Sequence, residues 1–245
     1  MWLCNSSIGR KVVMSVTGVA LILFLTFHMS MNIAALFSGE AYNMICEFLG
    51  ANWYALVATC GLAALAVIHI LYAFILTIQN RKARGASRYD VTVKPAKVEW
   101  ASQNMLVLGI VALAGIVLHL YNFWAKMMFA ELTGIGDLSL AADGAHWIQY
   151  TFSCPVYVVI YIVWLVAIWF HLTHGFWSAF QTLGVNGKVW FTRWKVIGIV
   201  YVTLLMLGFA AVVIAYALGI VGGECVGDSV RTQPRLAVLA VHANV

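Results

Sequence analysis

The stretch PVYVVIYIVWLVAIWFHLTHGFWSAF (155–180) holds no Asp, Glu, Lys or Arg. As a helix it would be about 39 Å long at the usual rise per residue, more than the roughly 30 Å of hydrocarbon in a bilayer. It is apolar around its whole circumference, so it has no polar face to turn to water. Read this way, residues 156–180 cross a membrane as a helix opened by Pro155, and the fold follows from asking how many such runs the chain has.

Working outward, four more runs meet the same test, at 12–36, 54–79, 102–126 and 195–220. The composition agrees: 63% of residues are hydrophobic and only 9% charged, with a mean hydropathy of +0.92, where a soluble domain is about a quarter charged. The expectation is an all-α integral membrane protein, a single transmembrane domain over 1–245 with five spans. Loops fall at 37–53, 80–101, 127–155 and 181–194, and a tail covers 221–245. The first run is too long for a removable signal, and no small-residue cleavage site follows it.

Charge gives the orientation. Arg10, Lys11, Arg81, Lys82, Arg84, Arg88, Lys94, Lys97, Lys188, Arg193 and Lys195 all fall on the side of the N-terminus. The other side has Lys126, Arg231 and Arg235 among Glu40, Glu47, Glu131, Asp137, Asp143, Glu224 and Asp228. The positive-inside rule then puts the N-terminus in the cytoplasm and the C-terminus outside. The net positive charge is an inside-loop signature, so no nucleic-acid partner is implied. Five cysteines without a CxxC or CxxCH pair argue against iron–sulfur, zinc-knuckle or covalent c-type haem sites.

His28, His69, His119, His171 and His174 lie within the spans, and an ionisable group at membrane depth is costly without a partner or ligand. Their depths sort them. His28 and His119 fall about 6 and 9 Å to the outer side of mid-span, whereas His69, His171 and His174 fall to the inner side, at 1.5 Å per residue. Two levels result: His28 with His119, and His69 with His171 or His174. Facing imidazoles in a helix bundle are how a b-type haem is held, one on each axial side. Gly115 and Gly175 lie four residues from His119 and His171, on the same helical faces, where they could clear room for a haem or allow close helix packing. Zinc would want three or four ligands at one depth, and no acidic residue lies deep in a span to serve a proton-coupled transporter.

The segments FLTFHMSMN (24–32), AVIHILYAF (66–74), GIVLHLYNFW (115–124) and WFHLTHGFWSAF (169–180) resemble the cytochrome b subunit of succinate dehydrogenases and quinol:fumarate reductases. The likeness is to the single-polypeptide, five-helix, two-haem class and extends over about 12–220. It implies a bundle enclosing two haems b, the proximal on His69 and His171 near the cytoplasm, the distal on His28 and His119. It further implies an FAD-containing flavoprotein and an iron–sulfur subunit docked on the cytoplasmic side. The chain itself would supply electron transfer and the quinone site, with menaquinone favoured over ubiquinone, and not the dicarboxylate site. The location implied is the bacterial cytoplasmic (inner) membrane.

Around these ligands, His174, Ser15 and Lys11 are candidates to meet the propionates or edge of the inner haem. Glu47 is the candidate for proton exchange with quinone, with Glu40 and His146 behind it; each is equally a plain loop residue. Two rival functions keep part of the pattern: a di-haem cytochrome b of a hydrogenase or formate dehydrogenase, and a proton-coupled transporter without haem.

Overall fold

A computed structural model describes residues 6–50, 52–84 and 99–221. Nine α-helices follow in order among the described residues: α1 (Ser7–Ile33), α2 (Gly39–Gly50), α3 (Trp53–Arg84), α4 (Trp100–Gln103), α5 (Met105–His119), α6 (Met128–Thr133), α7 (Gly144–Phe152), α8 (Pro155–Thr182) and α9 (Lys188–Ala217). Five segments are long and apolar enough to cross a membrane: Ser7–Leu36, Trp53–Ala83, Met105–Trp124, Pro155–Thr182 and Lys188–Ala217. The fold is all-helical as expected, and each span coincides with an expected run. Some helices overrun those runs at a polar end, α3 to Arg84 and α9 from Lys188, because hydrophobicity marks the part that lipid would cover while backbone hydrogen bonding carries the helix further. The third span, Met105–Trp124, falls inside its expected run, and the fifth ends at Ala217, short of 220. The expected tail at 221–245 lies outside the described residues but for Val221, as do residues 85–98 of the expected loop at 80–101.

The spans alternate in direction. Thr17, early in α1, meets His69, late in α3, and Glu99, just ahead of α4, meets His174 late in α8 and Lys195 early in α9. One end of the bundle therefore carries Lys11, Arg81, Lys82, Lys188 and Arg193 (the basic end), and the other carries the segments 37–52 and 125–154 (the acidic end). Two of those segments, expected as loops, instead form α2 and α7, which pack on each other. Asn43 ties them: its Nδ2 donates to Asp143 at 2.8 Å and its Oδ1 accepts from the Ala145 amide at 2.9 Å. Asp143 also caps α7, accepting from the His146 amide at 2.9 Å, which satisfies one of the unpaired amides at a helix start.

Span α8 is the centre of the bundle, packed against α9, α1 and α5, while α1 also packs on α3 and α9. Ile22, Leu165, Ile168, Leu172, Val202, Leu205 and Met206 form the core between α1, α8 and α9. Without hydrophobic drive between helices in lipid, close approach at small residues has to hold such contacts. Gly198 and Gly208 of α9 provide it: a β-carbon at either would stand 2.8 Å from Phe176 or from the Met29 sulfur.

Candidate functional site

The four single-helix histidines meet in two pairs. The rings of His28 (α1) and His119 (α5) are 5.8 Å apart between centres and nearly perpendicular at 87°. Those of His69 (α3) and His171 (α8) are 6.5 Å apart at 70°. With metal–nitrogen bonds of about 2 Å on each side, two imidazoles facing across one iron have ring centres about 6 Å apart. Both pairs fall near that separation. Among the described residues no group of three or more His, Cys, Asp or Glu converges as a metal cage, so the available donors come in twos.

The helices behind each pair matter as much as the rings. Neither α1 with α5 nor α3 with α8 is among the closely packed helix pairs. Each pair of imidazoles thus reaches across a gap between two spans that other helices hold in place. A flat prosthetic group with one axial ligand on each side needs that arrangement, and the residues fit a b-type haem on both levels. Nδ1 of His119 and Nδ1 of His171 are buried without a hydrogen-bond partner among the described residues, although buried polar atoms are usually paired.

The two levels differ in their surroundings. At the acidic-end pair, Phe24 stacks on His28 at 5.5 Å and 15°, Phe209 lies 5.7 Å away, and Phe123 and Trp164 lie 5.0 and 5.9 Å from His119. Immediately after His119 the helix widens into a π turn over Leu120–Trp124, closed by the Ala125 amide on the Leu120 carbonyl at 2.8 Å. Such turns recur at functional sites because they re-aim side chains. This one buries Asn122, whose amide donates to the Tyr161 hydroxyl at 3.2 Å. At the basic-end pair, Thr17 lies 3.1 Å from His69 Nδ1 and Gly18 leaves room for the same ring, a β-carbon there standing 3.3 Å from Cε1.

The two glycines beside His119 and His171 separate. Gly115 is filled: a β-carbon would collide with the indole of Trp164, so this glycine permits close approach of α5 and α8. Gly175 faces open space within 4 Å, in keeping with clearance beside His171.

His174 is not paired with another histidine. Its Nδ1 lies 3.3 Å from Glu99, its ring meets Trp177 edge-on at 4.8 Å, and Glu99 also holds Lys195 at 2.6 Å. The Lys195 ammonium in turn sits over Trp177 and Phe191 at 4.5 and 4.8 Å. This cluster pins the start of the third span to the fourth and fifth. Burial pushes the Glu99 carboxyl up, but hydrogen bonds from Lys195 and His174 outweigh it and hold the carboxyl below the usual range. A depressed carboxylate contributes stability that is present above its unfolded value near 4 and is lost as pH falls through the folded value. The expected outcome is that Glu99→Gln flattens the acid limb of thermal stability in detergent below about pH 4 and leaves the neutral region nearly parallel to wild type. An unchanged acid limb would show that the cluster does not stabilise the bundle.

Of the other sequence candidates, Ser15 is buried on α1 and Lys11 is exposed at its start. Glu47 and Glu40 are exposed on α2. His146 stacks on Tyr150 at 6.3 Å, in α7. Thr17, Asn122, Tyr161 and Trp164 were not among the candidates. Asn122 carried a readable signal, an amide three residues beyond a histidine within a span; Thr17 carried none, because a hydroxyl can bond back to its own helix.

Comparison with protein-family models, with curated proteins and with solved structures finds no match to this chain.

Proposed function

We propose that the chain is a di-haem cytochrome b, the membrane-anchor subunit of a succinate dehydrogenase or quinol:fumarate reductase. The observation that supports it best is the pair of imidazole contacts, each spanning two helices that do not otherwise pack closely. On this reading His28 and His119 hold one haem and His69 and His171 the other. Bound haem would supply one-electron transfer between quinone and an iron–sulfur partner. The chain's own task is to orient the ligands, exclude water from the interior and hold the two centres one above the other along the membrane normal.

The basic end faces the cytoplasm on the charge pattern and carries the surface for an iron–sulfur subunit and its FAD-containing flavoprotein. The acidic end, roofed by α2 and α7, offers Glu47 and His146 as groups able to exchange protons with quinone, for which menaquinone is the expected species. Such an exchange requires a residue within hydrogen-bond reach of the reacting oxygen.

Purification of the tagged chain from its own bacterial membranes tests the reading. The expected result is two haems b per chain by pyridine haemochrome, and a co-purifying flavoprotein that reduces quinone with succinate or oxidises quinol with fumarate. Two haems with a hydrogenase or formate dehydrogenase partner would move the chain to that class of cytochrome b. A chain with no reduced b-type absorption band would end the di-haem reading.

A further inference from the structure

Thr17 is buried, 5% exposed, inside the first span. Its hydroxyl oxygen lies 2.8 Å from the Val13 carbonyl and 3.1 Å from the Met14 carbonyl, and 3.1 Å from Nδ1 of His69 across the interface with α3. A hydroxyl has one proton to give, and a carbonyl can only accept. The shortest contact, back to Val13 on its own helix, takes that proton, so the oxygen presents a lone pair to His69. The Thr17 oxygen is therefore an acceptor facing His69, and the complementary ring is the tautomer with its proton on Nδ1 and its lone pair on Nε2.

We propose that Thr17 is a positioning residue for His69: its hydroxyl fixes the Nδ1–H tautomer, aims Nε2 at the haem iron, and lowers the reduction potential of the basic-end haem. The inference rests on the di-haem reading for its last step only. A hydrogen bond from the far nitrogen of a ligating histidine fixes ring orientation and raises the basicity of the nitrogen that binds metal. A more basic ligand favours the ferric state, so the potential falls. His119 and His171 have no such bond at Nδ1 among the described residues, so the two centres are unequally supported. That asymmetry would be built into the chain by one side chain. Gly18, next to Thr17, completes the seat by leaving the ring edge uncrowded.

The experiment uses the full chain in its purified complex, with Thr17→Val, Thr17→Ser and, as a control, Thr26→Val, whose hydroxyl bonds Tyr201 and the Ile22 carbonyl rather than a histidine. Redox titration followed optically should show the haem that is missing from His69→Ala rising in potential in Thr17→Val. The expected size is about tenfold in its reduction equilibrium, about 59 mV for a one-electron couple, with the other haem unmoved. Thr17→Ser should return towards wild type and Thr26→Val should match it. If Thr17→Val sheds that haem, retention of it by Thr17→Ser supports the role of the hydroxyl and loss from both overturns it. Unchanged potentials in Thr17→Val, or equal shifts of both haems, also overturn it.

Nitrogen-15 spectra of the imidazoles in haem-free chain give a separate readout. Wild type should show His69 protonated on Nδ1, and Thr17→Val should lose that preference. An Nε2–H ring in wild type would overturn the proposal, whereas a chain that never takes up haem would sink the di-haem reading and leave this measurement standing.

Discussion

Alanine at His171 is expected, on the di-haem reading, to remove one of two haems b, and alanine at His69 to remove the same one. His28→Ala and His119→Ala should remove the other. The grouping follows from which rings meet: 6.5 Å between His69 and His171, 5.8 Å between His28 and His119. Loss of one axial imidazole leaves a buried site with half its ligands, and the partner ring cannot move to the opposite side because its own helix is fixed by other contacts. The double variant His69→Ala/His171→Ala should therefore lose no more haem than either single variant, the non-additivity expected of residues that act as a unit. A cross-pair double such as His28→Ala/His171→Ala should lose both. His174→Ala should keep two haems, since its ring is engaged by Glu99 and Trp177. Pyridine haemochrome per chain measures all of these. Retention of both haems in His171→Ala with loss of one in His174→Ala would reassign the ligand.

The second large effect is expected at Gly115. A β-carbon there runs into the Trp164 indole, and that indole has little freedom: its Nε1–H donates to the Ala112 carbonyl at 3.1 Å, and its ring packs 5.6 Å from Tyr161 and 5.9 Å from His119. Overpacking of a well-filled site costs about 1–3 kcal/mol, and Gly115→Leu adds a branched chain on top of the first clash. The expected outcome is loss of the haem proposed for His28 and His119, with retention of the other, and a lowered unfolding temperature in detergent. Gly175→Ala, which meets nothing within 4 Å, should keep both haems and change stability by no more than about 0.5 kcal/mol. Equal behaviour of the two variants would mean that Trp164 yields readily and that the packing of α5 on α8 is not what shapes the acidic-end level.

Much of the architecture was legible because a bilayer imposes a coarse rule: twenty or so apolar residues without charge. That rule found five spans and placed His28, His69, His119 and His171 at two depths, from which the two ring pairs could be anticipated. It did not decide between His171 and His174, three residues apart on one helix; the family resemblance chose His171, and the contact of His174 with Glu99, a residue from another segment, was not legible in the sequence. Nor could it show α2 and α7, whose apolar residues cover each other and not lipid, or the π turn after His119, which costs no change in composition. Thr17 shows the limit most clearly. Its proposed role depends on where one hydroxyl proton goes, which turns on the 2.8 Å contact to Val13 within α1 and the 3.1 Å approach of His69 from α3.

The second span has an unusual position in the bundle. None of its most apolar window is buried within the protein, and its close partner is α1, with a lighter contact to α2. Across the gap to α8, the His69 and His171 rings face each other at 6.5 Å. On the di-haem reading, haem uptake would clamp this peripheral helix to the central span, so cofactor delivery would act as an assembly checkpoint, and a shortage of haem would be read out as turnover of the subunit before any enzyme is built on it.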